Sequence, residues 1–306
     1  MAARSDDQRL GALFTAQRAE DAHIVIIGFP YDEGCQRNGG RAGAAKGPEA
    51  FRTFLPKLGP VNNLEFGVDA SEVKLYDAGD VKGDTLEMAH KLLEEKVAEV
   101  LKHGSLPFVI GGGNDQSAPN GRAMLRHFSG DVGIINIDAH LDVRPRLADG
   151  KVHSGTPFRE LLEEESFAGN RFVEFACQGS QCSAVHVQYV KDHQGHLVWL
   201  REVQSKGSVV ALEEAFRLTG NNTFFSFDID SVCSADVPGV SCPAAVGLSA
   251  QDAFNMCFAA GKNPHVRMMD LSELNPVVDN YRSPRVAVNM LYHFVLGFAT
   301  RLRLKP

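Results

Sequence analysis

Apolar residues in this chain gather into short unbroken runs, and the stretches between them carry apolar positions at helical spacing. His23 to Gly28 reads as a buried strand running into a loop. Leu106 to Ile110, Val132 to Asp138, Thr223 to Asp230 and His265 to Leu271 repeat that form, most of them closing on a polar or glycine-rich cluster. Between Asp84 and His103, Leu86, Leu93, Val97 and Val100 fall on one helical face, with Gly104 placed to stop the run. A second helix begins at Pro48, where proline is tolerated in the first turn. Others are predicted over 121–128, 209–218, 251–260 and 289–301. The stretch from Asp32 to Gly47 is too rich in glycine for a helix and lacks the Gly-Lys-Ser/Thr ending of a phosphate loop. Strands apolar on both faces and separated by helices predict a parallel sheet covered on both sides. Ligands then bind at the carboxyl ends of the strands, where the polar clusters sit. With no linker, repeat or low-complexity segment, residues 1–306 read as one domain.

Composition narrows the function. Asp and Glu number 38 against 31 Lys and Arg, a formal charge of −7, with no basic tail or patch. That speaks against a nucleic-acid partner. No apolar run reaches membrane-spanning length, and the polar start Met1 to Leu10 is not a signal peptide. The six cysteines include no CxxC pair and are too few for a disulfide scaffold. A reduced, cytoplasmic protein acting on a small molecule is expected.

Two clusters carry candidate chemistry. Asp138, His140 and Asp142 alternate beyond one apolar run, with Arg144 next in the series; Asp228 and Asp230 alternate at the end of another. Continued strand geometry would point each set one way. Single aspartates at strand ends often cap helices or close turns. Two such clusters at two strand mouths, with no basic residue beside each acid, are better explained by a cation that relieves their repulsion. Oxygen ligands with an imidazole favour a metal such as Mn²⁺ over a thiolate-type zinc site. A pair of such ions activates water for hydrolysis.

These motifs resemble the ureohydrolase family of arginases, agmatinases and formimidoylglutamases. The resemblance runs from the glycine-rich segment before Asn114, through Asp138-Ala-His140-Leu-Asp142, His153 and Ser226-Phe-Asp228-Ile-Asp230, to Glu273. It implies a three-layer α/β/α sandwich around an eight-stranded parallel sheet, two Mn²⁺ ions, and trimeric or hexameric assembly. By the same resemblance, Asp138, Asp142 and Asp228 hold the metal pair together, and His140 and Asp230 complete the second ion's shell. His153 carries protons to the leaving group, and Glu273 meets the amidinium or guanidinium of the substrate. Arg144 stands where arginases have a small polar residue; an arginine suits a second substrate carboxylate. This resembles the formimidoylglutamase branch, its kinetoplastid form above all, and implies hydrolysis of N-formimidoyl-L-glutamate in histidine breakdown. Arginase or agmatinase activity, or a non-catalytic binding homologue, are the alternatives.

Two residues depart from the family pattern. Asn114 occupies the position of a histidine ligand, and an amide binds Mn²⁺ more weakly than an imidazole. The first metal site is therefore expected to be weak. Cys35 and Cys242 fall in loops that the family places at the site mouth, where oxidation would join them.

Overall fold

Side-chain alternation inside each apolar run divides the strands' residues between two cores. The computed structural model describes residues 7–304, so the start of the chain at residues 1–6 lies outside the described residues. The strands of the main sheet are β1 (Ile24–Phe29), β2 (Leu75–Asp80), β3 (Leu106–Gly111), β4 (Gly133–Ile137), β5 (Phe172–Cys177), β6 (His196–Trp199), β7 (Thr223–Asp228) and β8 (Val266–Ser272). They form one eight-stranded sheet in the order β2-β1-β3-β8-β7-β4-β5-β6, every pair parallel.

On one face Ile24, Ile26, Phe108, Ile110, Phe225 and Phe227 pack against helices that include Ala250–Lys262 and Arg282–Arg303. On the other, Val25, Ile27, Val109, Ile134 and Phe224 meet Leu86–Lys102 and Ser117–His127. Each fully buried Phe or Ile contributes about 1.5–3 kcal/mol, so both faces stabilise the sheet and fix its register. Thr85 caps the Leu86 helix through Met88 N–H at 3.1 Å, and Ser249 with Asp252 closes a capping box at Ala250. The three-layer α/β/α sandwich agrees with the expectation.

Several local readings change. The glycine-rich segment contains a short helix, Glu33–Arg37, and a 3-10 turn, Ala44–Lys46. Periodicity also missed β2, β5 and β6. The first and last are edge strands with few fully buried positions, and Glu174 interrupts the apolar run of β5. Among the described residues, no helix is long and apolar enough to cross a membrane.

Candidate metal centre

The aspartate clusters meet at the carboxyl edge of the sheet, but not by strand alternation. β4 ends at Ile137, and Asp142 sits in left-handed backbone at φ 45°. A non-glycine residue there is strained and needs its surroundings to hold it. β7 ends at Asp228, and Asp230 lies in the turn beyond it. Asp228 Oδ1 accepts the Asp230 N–H at 2.9 Å, and Asp138 Oδ1 accepts the His140 N–H at 2.8 Å. These turns bring two groups together: Asp138, His140 and Asp230, and Asp138, Asp142 and Asp228, the ligand atoms of each within 4.8 Å of one another. Asp138 belongs to both.

The electrostatics are those of a site built around positive charge. Burial raises Asp142 and Asp228 well above the carboxylate range, and neighbouring Asp138 and Asp230 raise them further. Burial and Asp138 hold Asp230 up to about 6, against the lowering effect of His140. For His140 burial favours the neutral ring, but Asp230 and Asp138 outweigh it and raise the imidazole. Asp138 Oδ2 and Asp230 Oδ1 are buried without a hydrogen-bond partner. Buried acceptors are ordinarily satisfied, and a divalent cation would satisfy both. The oxygen-rich donor set with one imidazole fits manganese.

Asn114 is differently engaged. Its Oδ1 accepts from the Ser117 and Ser272 hydroxyls, each at 2.9 Å, while Nδ2 donates to Asp142 Oδ2 at 2.8 Å. The atom facing the aspartates is thus the amide nitrogen, which has no lone pair to give a metal. Ligation through oxygen requires the amide to turn over.

Glu273 follows β8, also left-handed at φ 67°. Its N–H donates to Gly112 O at 2.7 Å. Gly112 has no room for a Cβ, because Tyr31 O lies against that position. Asn114 N–H at 3.0 Å and the Cys35 thiol at 3.1 Å donate to Oε1, and Ser241 donates to Oε2. Burial lifts Glu273 to about 7, with Ser241 opposing the rise. Burial also raises Cys35, helped by Glu273, which keeps the thiol protonated as a donor. Cys35 is buried and Cys242 exposed, and both are free.

Arg144 and His153 make other contacts. Arg144 Nη1 donates to Asn38 Oδ1 at 3.2 Å, not to an aspartate of the cluster. His153 accepts Gly155 N–H at Nδ1 and donates from Nε2 to Pro145 O, both at 3.1 Å. Burial lowers its pKa, and Arg144 adds to that. The cavity at this edge, about 160 Å³, is lined by His140, Asp142, Asp228, Asp230 and Glu273 together with Arg144, Asn38, Ser154 and Cys242, but not by His153. A larger cavity of about 670 Å³ beside Trp199 gathers no such acids. Sequence reasoning missed Asn38, Ser154 and Ser241. They are small polar residues in loops, with no periodicity to mark them.

An eight-stranded parallel sheet carrying paired aspartate clusters at its carboxyl edge defines a binuclear metallohydrolase. The chain belongs to the Arginase family, which it matches over residues 22–297. It is similar to formiminoglutamase of Trypanosoma cruzi, crystallised with Mn²⁺, at 75% identity and a TM-score of 0.96 over 97% of this chain and 100% of that one. The N114H variant of that protein, also with Mn²⁺, matches with the same identity, coverage and TM-score. Formimidoylglutamase of Aeromonas salmonicida is 33% identical over 288 residues, 88% of this chain and 85% of the relative.

Proposed function

We propose that this chain hydrolyses N-formimidoyl-L-glutamate to L-glutamate and formamide at a pair of Mn²⁺ ions, as a step of histidine breakdown. The observation that carries the reading is the charge layout of one cavity. Glu273 and the aspartates line it together with Arg144, whose guanidinium donates to Asn38 and pairs with no carboxylate among the described residues. A substrate with a cationic amidine and an anionic tail fits that polarity; agmatine has no carboxylate for Arg144.

Asp138, Asp142 and Asp228 would hold one ion and Asp138, His140 and Asp230 the other, with Asp138 common to both groups. Asn114 would be a weak ligand of the first, once its amide turned over. When bound, the metal pair supplies an acidified water and positive charge opposite the reacting carbon. Glu273, ionised, pairs with the amidinium and fixes that carbon above the aspartates. Arg144 pairs with a carboxylate of the glutamate portion and sets the distance between the two ends. The oxygen of water ends as the carbonyl oxygen of formamide, the C–N bond to glutamate breaks, and the departing nitrogen gains a proton. His153 carries that proton, which requires it to leave Pro145. Its lowered pKa keeps the ring neutral near pH 7, ready to take a proton from water before passing it on.

Six cysteines, all free, support a cytoplasmic setting. The family resemblance supports a homotrimer or hexamer, which sedimentation tests. The enzymatic reading is tested by turnover across a manganese titration. Formimidoylglutamate should be consumed and arginine and agmatine left, whereas equal turnover of agmatine would remove Arg144 from its role.

A further inference from the structure

Arg144 owes its place in the cavity to a short chain of neutral groups. Its Nη1 donates to Asn38 Oδ1 at 3.2 Å, and Asn38 Nδ2 donates to Ser154 Oγ at 3.2 Å. The direction of this chain is fixed by chemistry. A guanidinium only donates, so the amide oxygen of Asn38 must face it. The amide nitrogen then faces Ser154, whose oxygen must accept. Ser154 keeps its own hydroxyl proton to give, and no acceptor for it is present among the described residues.

Asn38, Arg144 and Ser154 line the same cavity as the metal-site acids. Their backbones are tied together independently of the side chains: Arg144 N–H donates to Gly155 O at 2.8 Å, and Ser154 N–H donates to Gly34 O at 3.1 Å. Gly155 packs against Arg144 Cδ and Asn38 Nδ2, each 3.0 Å from the place a Cβ would take. Asn38 ends the short helix Glu33–Arg37 and lies three residues beyond Cys35. The cavity is therefore lined both by the metal-site acids and by polar groups gathered around one cation.

We infer that Asn38 and Ser154 complete the carboxylate-recognition set with Arg144, Asn38 as a positioning residue and Ser154 as a direct donor to the substrate carboxylate. This rests on the reading of Arg144 given above. The physical advantage of an amide is that it orients a guanidinium without neutralising it. An aspartate in the same place would form an ion pair, and the substrate carboxylate would then have to compete with it.

The test compares Asn38→Asp, Asn38→Ala, Ser154→Ala and Arg144→Ala in the manganese-loaded enzyme. Each is assayed with N-formimidoyl-L-glutamate and with formamidine, which has the reacting carbon and no carboxylate. N38D is expected to raise KM for formimidoylglutamate severalfold, up to about tenfold, with kcat little affected. Selectivity for that substrate over formamidine should fall by the same factor. N38A and S154A should move KM in the same direction by less, and L-glutamate should weaken as a competitive inhibitor in all three. If R144A raises KM while N38D and S154A do not, the inference about Asn38 and Ser154 is overturned and the role of Arg144 stands. If R144A leaves KM unchanged as well, the reading of Arg144 itself is wrong. A general defect in folding or metal loading would depress both substrates alike, and that result would also count against a carboxylate-specific role.

Discussion

The side-chain nitrogen of Asn114 donates to Asp142 Oδ2 at 2.8 Å. A hydrogen-bond donor thus stands against the acidic cluster where a metal ligand is wanted. Two serine hydroxyls hold the amide oxygen away from it. Binding the first manganese through Asn114 means breaking that arrangement, so the cost of weak affinity is local and identifiable.

Asn114→His should tighten manganese binding at one of the two sites. The gain expected is about tenfold or more, from an imidazole nitrogen in place of an amide oxygen and from the loss of the amide's turnover. Calorimetric titration of metal-free protein measures it. An unchanged isotherm would show that position 114 does not reach the metal.

Asp228→Asn removes one charge from a group of like charges. Asp228 is raised by burial first and then by Asp230, Asp138, Glu273 and Asp142. Metal-free D228N protein should therefore melt at or above the native chain, by about 2–4 °C for each kcal/mol of relieved repulsion. Added manganese should no longer raise its melting temperature, and turnover should be lost. A lower melting temperature without metal would mean that Asp228 serves the fold and not the ion.

Manganese binding should weaken in acid. The folded chain holds Asp230 at about 6, against about 3.9 in an unfolded chain. Below about pH 6 manganese must displace that proton, and affinity should fall about tenfold per pH unit for each proton displaced. Stability of the metal-free protein runs the other way. With a raised folded pKa, the contribution of this group is fully present below about pH 4 and is lost as pH rises through 6. Bound metal reverses that loss. Melting curves with and without Mn²⁺ from pH 4.5 to 7.5 measure both, and parallel curves would contradict the linkage.

Oxidation should inactivate the enzyme through Cys35. Its thiol donates to Glu273 at 3.1 Å, and Cys242 lines the same cavity. Joining them with a disulfide reagent such as oxidised glutathione transfers two electrons and two protons to the reagent. It also strips a donor from Glu273. Peptide mapping should find a 35–242 linkage with loss of activity that thiol reverses, and Cys242→Ser should resist. Inactivation without that linkage would place the sensitive group elsewhere.

The sequence made the central strands legible because they are apolar on both faces. Ile24–Phe29, Leu106–Gly111 and Thr223–Asp228 are buried throughout and announce themselves. Leu75–Asp80 does not, since five of its six residues are only partly buried at the sheet edge. The five acid and imidazole residues at 138, 140, 142, 228 and 230 were legible as a group from their spacing. Their convergence was expected for the wrong reason: left-handed Asp142 and the turn after Asp228 gather them, and strand alternation does not. No sequence signal told where the Asn114 amide would face or that Asn38 would carry Arg144. Arg144 depends on one hydrogen bond to a segment distant in the chain, and the Asn114 amide is set by three, to Ser117, Ser272 and Asp142.

The most direct test is hydrolysis of N-formimidoyl-L-glutamate by reduced protein across a manganese titration, with arginine and agmatine run alongside. The account predicts turnover of formimidoylglutamate alone, rising at high Mn²⁺ as the weaker site fills. No turnover of any of the three at saturating metal, or preference for arginine or agmatine, would contradict it.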